Sequence, residues 1–374
     1  MISAKRQIKR LLATGLAVSA LLNLPVASAA DTKDMGVARA WLKQNVPGLP
    51  DEVLTAAAQE GEVMLYCLVS SCPQQLADAF QQTFPFIKVQ VYRASGGALA
   101  ERFAAEARAD RKIADVVMNS SAIVLDRFTA EGHLMNWTPP NGDMVPKAYR
   151  HDGYWYGIGL LYMGLAWNTE KVTPEQQKWL ENVPSWKDIA NPVFKGKTAL
   201  THVRAGGTAQ IVYYHLRETV GSNYLQNLKT NLEPVIFDSI NTLNERLVSG
   251  EYAYTPLGPI DIGVLNDLLG RGAPVGFHFP EPGIALAYAA GISKRAPHPN
   301  AAKVFTAWSA SLAGQAAFVN GVGLAPMRSD VVDKRPIARS KYYKLPKTVY
   351  TADWKEIDKS MGQMTADFKR VFNN

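Results

Sequence analysis

Apolar positions recur with two different periods between residues 60 and 130. KVQVYRA (88–94) alternates as a half-buried strand, and the short apolar runs VMLYCLV (63–69) and ADVVMNSS (114–121) read as two more. Between them Leu76, Phe80 and Phe84 fall at a spacing of four, as do Leu99, Phe103 and Ala107 after Ser95-Gly96-Gly97, which predicts helices. Strand and helix taking turns predict an α/β fold with a largely parallel sheet. Upstream, VARAWLKQNV and LPDEVLTAAAQEGE read as a helical lead-in, with Asp51 and Glu52 after Pro50 suiting a helix start.

The second part of the chain is patterned less cleanly. YWYGIGLLYMGLAWN (154–168) is apolar throughout but carries glycines and aromatics, and it reads as strands crossing between two lobes. Further strands are expected at 195–200, near 234–237, in EYAYTPLG and in PGIALAYAAGI (282–292). Helices are expected from Thr208 through QIVYYHLRETV, from about Thr242, and from Asn300 to Val319, where Ala302, Phe305, Trp308 and Leu312 share a face. No repeat or low-complexity tether interrupts the run, so strands rather than a flexible linker are expected to join the lobes.

The first thirty residues change the setting. Lys5, Arg6, Lys9 and Arg10 precede an apolar run, Leu11 to Leu24, and Ala27-Ser28-Ala29 supplies small residues. This is the layout of a secretory signal peptide over 1–29, cut after Ala29, and the run is shorter than the ~20 residues of a bilayer span. An uncut anchor is the alternative. The net charge is +7, and four of those positives lie in the leader, which leaves +3 on the remainder. No basic stripe with interleaved aromatics appears, so nucleic acid is not an expected partner. Cys67 and Cys72 are the two cysteines, and an oxidising compartment makes a disulfide their natural reading, with two free thiols the alternative. Such a bridge would chiefly shape the loop holding Ser70 and Ser71.

Enzyme signatures are missing. The chain has no HExxH, GxSxG, P-loop or GxGxxG, and His133, His151, His202, His215, His278 and His298 are scattered without ligand spacing. What recurs instead is a small hydroxyl or glycine cluster after five of the predicted strands: Ser70-Ser71, Ser95-Gly96-Gly97, Ser120-Ser121, Gly206-Gly207-Thr208, and Ser239 with Asn241. In open α/β sheets, ligands bind beyond the carboxyl ends of strands, where helix N-termini offer unpaired N–H groups. Ser70, Ser71, Ser95, Gly96, Ser120, Ser121, Gly207 and Thr208 are therefore expected to hold an anion. Arg204 would be its charge partner, and Ser239 and Tyr254 secondary contacts. Each cluster taken singly also reads as a helix N-cap. Tyr92, Trp155, Tyr156 and Tyr254 could pack against the rest of a ligand.

The chain resembles the solute-binding proteins of bacterial ABC importers, in particular the ferric-iron and 2-aminoethylphosphonate group. The resemblance runs from about Leu49 to Asp330. It rests on EGEVMLYC, IADVVMNSS, VPSWKDIANPVFKGKTAL and NAAKVFTAWSASLAGQAAFVNGVGLAPMRSDV. It implies a two-lobe, Venus-flytrap fold with two hinge strands. After the lead-in at 30–59, lobe 1 would take 60–155 plus 280–325, and lobe 2 would take 156–279 plus 326–374. It further implies a monomer without catalysis or a cofactor. The cleft would capture a small solute in the periplasm and present it to an inner-membrane permease. Iron-binding members carry adjacent tyrosines after the strand matching EYAYTPLG. Here that loop reads LGPIDIG, which favours an anionic organic solute such as a phosphonate, phosphate ester or carboxylate over ferric iron. Iron import, or ligand sensing for a receptor, are the alternatives.

Overall fold

The computed structural model describes residues 32–67, 72–94, 96–120, 122–328, 330–350 and 354–373. The expected signal peptide lies outside them.

Helices α1 (Thr32–Asn45) and α2 (Asp51–Glu60) lead into β1 (Glu62–Cys67), α3 (Cys72–Gln81), β2 (Lys88–Arg93), α4 (Gly96–Arg108), β3 (Val116–Asn119) and α5 (Ala122–Ala130). Then follow β4 (Arg150–His151), β5 (Trp155–Asn168), α6 (Pro174–Leu180), β6 (Thr198–Thr201), α7 (Gly207–Val220), α8 (Tyr224–Leu232), β7 (Val235–Phe237) and α9 (Ile240–Val248). The chain closes with β8 (Tyr254–Asp261), α10 (Ile262–Gly270), β9 (Val275–His278), β10 (Gly283–Ile292), α11 (Pro299–Ala310), α12 (Leu312–Ala317), β11 (Val349–Tyr350) and α13 (Trp354–Phe372).

The strands form one mixed sheet in the order β2-β1-β3-β10-β5-β8-β6-β7. β1, β2 and β3 are mutually parallel, and so are β6, β7 and β8. Two long antiparallel strands, β5 and β10, run between the groups. The molecule therefore has two halves joined by a pair of hinge strands. YWYGIGLLYMGLAWN, expected as several strands, is essentially one continuous strand. It is buried along almost its whole length because the sheet covers both its edges and packed layers cover its faces.

Each half has its own core. In the first, Leu65, Phe80, Phe84, Phe305 and Trp308 pack together, and α1 and α2 add Leu42 and Leu54 to them. The lead-in is thus part of the first half's packing. In the second, Trp186, Phe194, Tyr213 and Tyr254 pack with Met364 and Phe368 of α13, so the C-terminal helix completes that half.

Some expected elements change shape. The helix expected over 300–319 breaks at Ser311, which is extended (φ −74°, ψ 166°) and accepts a hydrogen bond from Gly314 N at 3.2 Å. One serine thus ends α11 and caps α12. EYAYTPLG was expected as a strand with an outgoing loop, but β8 continues through Pro259 to Asp261 and turns directly into α10.

Candidate functional site

The strand registers locate a gap between the halves. β3 ends at Asn119, opposite Ala289 of β10, which lies opposite Gly157 of β5. From the other side, β8 ends at Asp261, opposite Met163 of β5, and Leu200 near the end of β6 pairs with Leu257 of β8. β3 runs in the direction of β5, whereas β8 and β6 run against it. The carboxyl ends of the two parallel groups therefore point at each other across the stretch of β5 between Gly157 and Met163, about 20 Å of strand. A third connection crosses here, since Leu160 and Ala325 exchange hydrogen bonds of 2.9 and 2.7 Å. Glycine is required beneath it. A Cβ on Gly157 would stand 2.5 Å from Met327 Cε, and one on Gly159 would stand 2.6 Å from Leu324 Cβ.

Three helices of the second half begin at this gap, and their first turns are satisfied differently. α9 is capped by Ser239, whose hydroxyl accepts from Thr242 N at 3.3 Å. α10 is capped by Asp261, whose carboxylate accepts from Gly263 N at 2.9 Å and Val264 N at 3.0 Å. Burial raises the pKa of Asp261, and those two N–H groups pull it back. α7 has no side-chain cap. It starts from Gly206, held at φ 148° in the region that favours glycine, and opens with exposed Gly207 and half-exposed Thr208. Its N-cap residue therefore supplies no side-chain acceptor to the N–H groups of the first turn.

Arg204 stands on the loop before α7 and is exposed, and among the described residues no ion pair involves it. The loop is held by His202, whose Nδ1 accepts from Arg204 N at 3.0 Å and whose ring packs on Phe368 at 4.5 Å. Burial lowers the His202 pKa and Arg204 pushes the same way, against Asp238. The imidazole is thus held as a neutral acceptor for that backbone N–H. Beneath the loop, Thr201 Oγ1 donates to Leu257 O at 2.9 Å, and Tyr213 Oη donates to Thr201 O at 2.7 Å.

The sequence candidates separate accordingly. Gly207, Thr208 and Arg204 come together on one loop and helix start. Ser120 is half-exposed directly after β3, on the opposite side of the gap. Ser239 faces the same end of the sheet, but its hydroxyl is engaged by α9. Tyr254 is a core residue: it is fully buried, its hydroxyl donates to Ile189 O at 3.1 Å, and burial raises its pKa. A contact with ligand is therefore corrected to a packing role, because the apolar ring fills the space between Phe194 and Trp179. Gly96 opens α4. Ser70, Ser71, Ser95 and Ser121 lie outside the described residues, as does the side chain of Cys72 and with it the expected disulfide. Cys67 is buried, with Sγ 3.2 Å from Tyr288 Oη.

The other aromatics singled out in the sequence are absorbed by packing and hydrogen bonds. Trp155 Nε1 donates to Asp126 at 2.9 Å, Gly153 N donates to Tyr156 Oη at 3.1 Å, and Tyr92 lies under the Arg102 guanidinium at 3.8 Å. Two features escaped the sequence reading. One is Asp261 as the cap of α10, although Asp before an apolar run is an N-cap signal. The other is the crossing at Leu324–Met327, whose only trace was the alternate glycines of β5. Among the described residues, no group of three or more His, Cys, Asp or Glu could hold a metal ion.

Residues 75–345 match the family model described as bacterial extracellular solute-binding protein. Solved structures with the same fold include iron-bound HitA from Pseudomonas aeruginosa, with 21% identity over 82% of this chain and 99% of that one, at a TM-score of 0.65. The Trichodesmium protein IdiA (FutA), in complex with iron and citrate, has 20% identity over 83% and 99%, at 0.66. AfuA from Actinobacillus pleuropneumoniae, with fructose-6-phosphate bound, has 19% identity over 83% and 98%, at 0.62. No curated protein sequence matches the chain.

Proposed function

The chain belongs to the bacterial extracellular solute-binding proteins, and from that premise we propose that it captures a small anionic organic solute between its halves and delivers it to a membrane permease. The observation that carries the reading is the uncapped start of α7, set at a gap on which strand ends of both halves converge. An anion there completes the hydrogen bonds of the first helical turn and meets the positive end of the helix dipole. Arg204 adds a planar cation suited to a carboxylate or phosphate. Ser120 reaches from the first half, so a bound solute would touch both halves and bias the hinge toward closure. The expected leader agrees with work outside the cytoplasmic membrane. Nothing in this arrangement asks the protein to make or break a bond.

A thermal-shift screen of phosphonates, sugar phosphates, dicarboxylates and ferric citrate tests the reading, because a ligand of the folded form raises Tm. The double variant T208A/S120A should then bind the best anion about thirtyfold more weakly, each lost hydroxyl costing about 1 kcal/mol. Unchanged affinity in that variant would overturn the site. A response to ferric salts alone would replace the anion by iron.

A further inference from the structure

A second concavity lies on the second half, away from the gap. It has a volume of about 160 Å³ and sits between the turn at Trp186–Ala190 and helices α7 and α8. Its α7 wall is Leu216 and Val220, nine or more residues from Gly207 at the gap end, which is about 14 Å along the axis. Ile189 and Leu228 complete an apolar floor. The rim is different. Asn227 and Asn231 stand four apart on α8, on one face, and Lys187 and Asp188 stand opposite.

The walls are fixed from outside the concavity. Trp186 Nε1 donates to Pro282 O at 3.0 Å, directly before hinge strand β10. Ile189 O accepts the Tyr254 hydroxyl at 3.1 Å. Ser185 caps the turn by accepting from Lys187 N at 3.2 Å and also pairs with Glu281. Such a concavity is formed before any ligand arrives, as small-molecule sites usually are. Its size suits one ring, since an enclosed apolar cavity of about 150 Å³ holds benzene, and here the apolar floor is joined by a polar mouth open to solvent. The carboxamides at the mouth can both donate and accept, which suits one polar substituent on that ring.

We propose that this concavity is a second ligand site, for a single-ring aromatic molecule carrying one hydrogen-bonding group, with the ring on Leu216, Val220 and Leu228 and the substituent at Asn227 and Asn231. The site is independent of the anion reading, since it shares no residue with the gap. It adjoins the hinge through Trp186 and Pro282.

Phenol titrated into the whole protein and followed by ligand-observed NMR tests it. Saturable binding with a Kd of about 1 mM is expected for so small a ligand. Val220→Phe fills the floor and Asn227→Trp covers the mouth from an exposed position that leaves the core intact. Each should weaken phenol at least tenfold. No saturable binding to the wild type below about 20 mM would overturn the proposal, as would unchanged phenol affinity in Asn227→Trp.

Discussion

The two halves of the molecule share one sheet, yet they are tied together by different chemistry. The first half uses buried or half-buried carboxylates that gather donors from distant segments. Asp115, whose side chain is fully buried, accepts from Met64 N at 2.7 Å, His298 N at 2.7 Å and His298 Nδ1 at 2.9 Å. Glu60 accepts from Asn300 and Ala301 at the start of α11, and Glu106 from Tyr66 Oη and Arg102 Nε, both at 2.7 Å. The second half pins backbone carbonyls with neutral donors, Tyr213 to Thr201, Tyr254 to Ile189 and Trp186 to Pro282, while its carboxylates Asp261 and Asp333 act closer to home, on the start of α10 and on Arg335 and Tyr343. A buried carboxylate with several donors concentrates risk, because its loss strands all of them at once. Single neutral bonds spread it.

The largest expected effect follows from Asp115. Replacing it by Ala strands two backbone N–H groups and His298, and should cost about 4 kcal/mol by urea denaturation. A loss below about 1 kcal/mol would mean that water replaces the carboxylate and that the contrast between the halves is only geometric.

The second effect is a pH dependence in the other half. His215 is buried under Tyr350 at 4.5 Å, and its Nδ1 has no hydrogen-bond partner among the described residues. Burial, aided by nearby Lys187, lowers its pKa from 6.5 to about 4. The unfolded chain therefore binds this proton more readily than the folded one. Stability from His215 is present above pH 6.5 and is lost as pH falls toward 4, amounting to about 3 kcal/mol over that window. His215→Leu should flatten this limb of a stability–pH curve, and hydrogen exchange in acid should rise first in α7. An unchanged slope in the variant would move the acid sensitivity to the carboxylates of the first half.

The smallest effect is Tyr254→Phe. It removes one neutral bond while keeping the ring, so about 1.5 kcal/mol of stability should go, with ligand affinity untouched. A variant that folds normally but binds its solute poorly would restore Tyr254 to the site.

Much of this was legible in the sequence because period and chemistry agreed there. The alternation in KVQVYRA and the spacing of Leu76, Phe80 and Phe84 placed β2 and α3 within a few residues. The Gly-Gly-Thr cluster placed the start of α7. Tyr254 misled because a tyrosine at a strand end looks alike whether its ring faces a cleft or a core, and only the partner Ile189 O decides. Ser239 carries a related ambiguity, since a ligand hydroxyl and an N-cap hydroxyl have the same sequence signal. The break at Ser311 and the crossing at Leu324–Met327 depend on contacts between distant segments, which local periodicity does not carry. The concavity beside Trp186 has no motif, because it is made of ordinary core residues that leave a space.

The placement of β10 governs the order in which the molecule can be completed. β3 is flanked by β1 on one edge and by β10 on the other, and β10 begins only at Gly283, after the strands of the second half. A chain made or delivered from its N-terminus can therefore finish β6, β7 and β8 while β3, with its apolar Val116, Val117 and Met118, still lacks its β10 neighbour. The half that comes first in sequence is closed only after the strands of the second have been made. Late, long-range strand pairing of this kind slows folding and lengthens the time in which that edge can meet another chain.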